Sequence, residues 1–100
     1  MSIDDRSLPI PDEVLAQNDP EMAIEFIRAW WDGDQPRMTI RPVFSEPAAV
    51  GSLLAELSWH FSNAYADKHG LNQAEAFEAI RKAWVDAHAR ADAARAGGSQ

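Results

Sequence analysis

The chain has 100 residues, enough for one domain and too few for two. Its formal net charge is -7, with ten acids against four bases in residues 1–50 and six against five in residues 51–100. No cluster of Lys and Arg exists to displace counterions from phosphates, so nucleic acid and anionic membrane surfaces are rejected as partners. Cysteine is absent, which excludes disulfides, thiolate catalysis, zinc ribbons and iron–sulfur clusters.

Hydrophobic residues at 46% and charged residues at 25% are the balance of a folded domain. Four tryptophans are a surplus for this length, and each large ring needs a place in a core or an interface. The acidic start Met1-Ser2-Ile3-Asp4-Asp5-Arg6 lacks the apolar stretch of a secretory signal. No run of roughly 18 apolar residues occurs. A cytoplasmic protein is therefore expected.

In chain order, residues 1–18 read as an extended arm, because Pro9 and Pro11 fix the backbone and remove donors, with a turn of helix from Asp12 to Ala16. Two readings compete for the next stretch. Asp19-Pro20-Glu21 looks like a helix start, with Ala23, Phe26, Ile27 and Trp30 on one helical face. Against it, Asp32-Gly33-Asp34-Gln35-Pro36 is a turn cluster, and Arg37-Met38-Thr39-Ile40-Arg41 is short and β-rich. The second reading, a β-hairpin over residues 24–41 after one helical turn, is preferred.

Two helices follow, over 46–69 and 72–93. The first opens at Ser45-Glu46-Pro47 and stops at Gly70, which most easily takes the left-handed cap conformation. Asn72 caps the second, with Glu75 placed to reach back. Glu78 with Lys82 and Asp86 with Arg90 are acid-before-base pairs at i,i+4 spacing. Residues 96–100 read as a flexible tail, leaving a single domain over 1–95.

At 100° per residue, Val50, Leu53, Leu54, Leu57, Phe61 and Ala64 form one stripe of the first helix, the expected core face, with Tyr65 at its edge. The second helix offers Phe77, Ile80, Trp84, Ala87 and Ala91, and the short link makes an antiparallel pair. Trp59 points away from the core stripe, among Ser52, Ala55, Ser62 and Ala66. That face is either covered within the chain or is a dimer interface. On the first strand Ile24, Phe26 and Trp30 alternate with Ile27, Ala29 and Trp31, so both faces are apolar. Trp30 and Trp31 join the candidate interface. A lone two-stranded sheet is marginal, and pairing across a twofold axis remedies it. The expected architecture is α+β: arm, hairpin and an antiparallel helix pair packed on the sheet, as a homodimer.

One polar stripe has ligand character: Glu56, His60, Asn63 and Asp67 at i, i+4, i+7 and i+11. Imidazole and carboxylates on one face suit a divalent metal or a shared proton, although a solvated helix face has the same composition. The sequence offers no His-Glu-x-x-His, Gly-x-Ser-x-Gly or phosphate-cradling glycine loop, and no cofactor is expected. His69 reads as a favourable charge at a helix C-terminus and His88 as packed at the edge of the core.

Leu8-Pro9-Ile10-Pro11-Asp12-Glu13-Val14-Leu15, then Asp32-Gly33 followed by a strand, then Pro47-Ala48-Ala49-Val50-Gly51, resemble a family of small bacterial proteins known as domain of unknown function 5076. The resemblance runs from about residue 8 to 85. It implies the hairpin rather than a helix at 24–31, a bacterial cytoplasmic protein, and no established catalytic residue. The function expected is a small interaction or regulatory module, a homodimer with room for a further protein partner. The alternatives are a metal-binding protein or enzyme using the polar stripe, and a binder of apolar small molecules.

Overall fold

A computed structural model describes residues 2–98; the first residue of the expected arm and the last two of the expected tail lie outside the described residues. Contacts group the chain into two compact units, Met1–Ser45 and Glu46–Gln100.

The first unit opens with a 3-10 turn at Ile3–Arg6, then a one-turn helix α1 at Asp12–Leu15. Pro11 stands at its N-cap, where a missing N–H costs no helical bond. A second 3-10 turn, Pro20–Met22, is started by Asp19, whose Oδ1 accepts from the Glu21 N–H at 3.0 Å. The helix signal at Asp19-Pro20-Glu21 is thus genuine but stops after one turn.

The chain then forms strands β1 (Ile27–Asp32) and β2 (Gln35–Ile40), an antiparallel hairpin inside the span 24–41. Asp32 pairs with Gln35, so the loop is Gly33-Asp34. Gly33 has φ 69°, a conformation that side chains resist, and the Asp34 N–H donates to Asp32 O at 2.8 Å. Arg37 Nε donates to Asp32 Oδ2 at 2.7 Å across the same end.

The second unit is an antiparallel helix pair, α2 (Ala48–His69) and α3 (Gln73–Gly98). Gly70 ends α2 at φ 68°, its N–H donating to Ala66 O, while the Leu71 N–H donates to Tyr65 O. Asn72 then caps α3, its Oδ1 accepting from the Glu75 N–H at 3.0 Å. The helix runs past residue 93, where its end was expected, through alanines, the strongest helix formers. Its ion pairs differ from the expected ones. Glu78 pairs with Arg81 and Lys82 with Asp86, because i,i+3 and i,i+4 neighbours both come within reach on a helix.

Candidate functional site

Of the most apolar stripe of α2, Leu54 reaches the groove shared with α3; the other contacts between the helices come from the neighbouring face. Asn63 accepts a hydrogen bond from Gln73, and the rings of Trp59 and Phe77 meet edge to face at 5.4 Å. Four residues back on α2 thus match four forward on α3, which is the antiparallel register. Between these contacts Ser62 is fully buried, and Ala76 on α3 is the other buried residue among those described. Nearer the start of α2, Gly51, Leu54, Ala55 and Ser58 line an apolar groove of about 220 Å³ with Phe77, Arg81 and Trp84. The face of Trp59, Ala55, Ser62 and Ala66 is therefore turned towards α3, with Ser52 exposed beside it.

Small residues let two helix axes approach closely, and their hydroxyls cost nothing here. Ser62 Oγ donates to Trp59 O at 2.6 Å and Ser58 Oγ to Leu54 O at 2.9 Å, so neither needs water. The expected core stripe is correspondingly displaced. Val50 (44% exposed), Leu57 and Phe61 (53%) stay exposed, while Leu53 is half-buried and Leu54 lines the groove with α3. Apolar periodicity marks a face that must be covered; it does not say which neighbour covers it.

The hairpin has a second such face. Ile27 pairs with Ile40, Ala29 with Met38 and Trp31 with Pro36, all six side chains on one side. Trp31 is 72% exposed and Ile40 62%. The opposite side carries Arg28, Trp30, Asp32, Gln35, Arg37 and Thr39, and only Trp30 is half-buried. The expectation of two apolar faces is corrected: β1 begins at Ile27, so Ile24 and Phe26 lie outside it, and Phe26 packs instead against Phe44 at 6.1 Å. Trp30 and Trp31 take opposite sides, as alternation requires.

The polar stripe stays in solvent. Glu56 Oε1 and His60 Nε2 are 3.7 Å apart and both well exposed, Asn63 is held by Gln73, and Asp67 is exposed. Among the described residues no group of three His, Asp or Glu is placed to hold a metal ion. His69 and His88 stack on Tyr65 and Trp84, with ring centroids 5.6 and 4.0 Å apart. No described helix is long and apolar enough to cross a membrane.

A two-stranded hairpin followed by two long helices defines a small α+β protein. The chain belongs to the family described as a domain of unknown function, DUF5076, which matches residues 7–91. It is similar to a solved structure described as that of a putative pyruvate dehydrogenase from the photosynthetic bacterium Rhodopseudomonas palustrus CGA009. The two share 26% identity over 84% of each chain, with a TM-score of 0.65. No curated protein matches the chain.

Proposed function

We propose that this protein is a small interaction or regulatory module that works as a homodimer, in a bacterial cytoplasmic setting. The observation that carries the reading is the missing core. Among the described residues of the hairpin unit none is buried, and the helix pair buries only Ser62 and Ala76. Large apolar side chains stay exposed in each unit, Trp31 and Ile40 on the hairpin and Val50 and Phe61 on α2. Covering the hairpin face and the α2 stripe removes large apolar side chains from water, each worth roughly 1.5–3 kcal/mol. The acidic N-terminal half, ten acids against four bases, then suits a basic protein as a further partner.

The other two readings have less support. The polar stripe offers one exposed Glu56–His60 pair. The groove beside Gly51, at about 220 Å³, is below the size of most ligand sites, roughly 300–1,000 Å³. Light scattering over a dilution series tests the homodimer. A mass of twice 11.1 kDa is expected, and 11.1 kDa at all concentrations refutes it.

A further inference from the structure

The hairpin has two outer edges, and they are not equivalent. The Arg41 N–H donates to Phe26 O at 2.8 Å, which makes Phe26 and Arg41 a hydrogen-bonded pair just beyond the strands. Such pairs alternate along an antiparallel ladder, so Arg28 with Thr39, Trp30 with Arg37 and Asp32 with Gln35 exchange bonds. Pro36 falls at a non-bonded pair, the place where its missing N–H does no harm within the hairpin. The outward groups are then those of Pro36, Met38 and Ile40 on β2, and of Ile27, Ala29 and Trp31 on β1. The β2 edge lacks a donor at Pro36; the β1 edge presents N–H and C=O at all three positions.

No backbone hydrogen bond from another segment reaches Ile27, Ala29 or Trp31 among the described residues. The arm comes near, and Arg6, Ser7 and Leu8 line a depression of about 290 Å³ with β1 without pairing to it. It is a poor strand donor. Pro9 and Pro11, two apart, would remove successive donors from one edge.

We propose that a second copy of the chain pairs with this edge, β1 against β1, antiparallel about a twofold axis at Ala29. The proposal rests on the homodimer reading and names the strand that carries it. In this register Ile27 stands opposite Trp31 of the second copy, and the smallest side chain, Ala29, meets its own mate at the axis. All three side chains lie on the apolar face, so the two apolar faces join into one across four strands. On the other face Arg28 stands opposite Trp30 of the second copy, a cation over an aromatic ring, with Asp32 and Arg28 of that copy at its two diagonals. The edge is thus complementary to itself in hydrogen bonding and size, as a twofold interface requires.

The absence of cysteine makes single-cysteine variants clean reporters. At a hydrogen-bonded pair the Cα atoms are about 5.5 Å apart. That lies inside the span a disulfide bridges, roughly 4.4–6.8 Å. Met38 is on the same face but one strand further out, so its mate would be about 14 Å away. Ala29→Cys is expected to oxidise to a covalent dimer and Met38→Cys is not. A dimeric wild type that cross-links at residue 38 instead of 29, or at neither, overturns the β1 pairing and leaves the homodimer standing. A monomeric wild type overturns both. Ala29→Pro removes the outward N–H without touching the hairpin ladder. With its circular dichroism unchanged it is expected to weaken dimerisation about tenfold or more. An unchanged dimer mass for that variant also overturns the pairing.

Discussion

The two units use apolar residues in opposite ways. In the helix pair the small residues Ala55, Ser58, Ser62 and Ala76 sit at the contact, with Leu54, Trp84 and the aromatic pair Trp59 and Phe77 around them. In the hairpin the apolar residues are large, Ile27, Trp31, Met38 and Ile40, and they stay 43–72% exposed. Small side chains bring two backbones together and finish a local structure. Large ones on an open sheet face demand a partner from outside it. The first unit is thus held by turn chemistry and a ladder, the second by packing.

Substitutions that exchange these characters should have effects of graded size. The largest is expected at Ser62, fully buried, where Ser62→Leu forces the helices apart at about 2 kcal/mol, read by urea denaturation. In the hairpin the sensitive point is backbone rather than packing. Gly33→Val places a branched residue at φ 69° and should cost about 1–2 kcal/mol, visible in the fluorescence of Trp30 and Trp31 on denaturation. Gly51→Ala should act in the opposite direction. A Cβ there meets nothing within 4 Å, and alanine stiffens the helix, so the thermal midpoint should rise with a gain of about 0.5–1 kcal/mol. The smallest effect belongs to the polar stripe. His60→Ala, removing an exposed pair, should change stability by less than about 0.5 kcal/mol, and zinc titration should give the same null heat in both proteins.

Much of the fold was legible in the residues themselves. Asp32-Gly33 marked the turn that Gly33 makes, Gly70 the left-handed end of α2, and Asn72 the cap of α3. Those signals are local, and local chemistry suffices to set them. The choice of packing face on α2 was not legible. Periodicity points to Val50, Leu53, Leu54, Leu57, Phe61 and Ala64; of these Leu54 lines the groove with α3, beside Ala55 and Ser58, where the axes can come close. Trp59 carried the right hint, a large ring set among small residues, without naming Phe77 as its contact. In the polar stripe, spacing alone does not register contacts from the other helix. Asn63 shares its face with Glu56 and His60 but is engaged by Gln73 from α3, a long-range contact that helical spacing does not register.

The claim on which the rest depends is that the large apolar faces are covered by a second copy, so that folding and association are one process. The midpoint of thermal unfolding, followed by near-ultraviolet circular dichroism of the tryptophans across a hundredfold range of protein concentration, tests it most directly. Coupled folding and dimerisation predicts a midpoint that rises steadily with concentration. A midpoint independent of concentration over that range would contradict the account and return both apolar faces to the single chain.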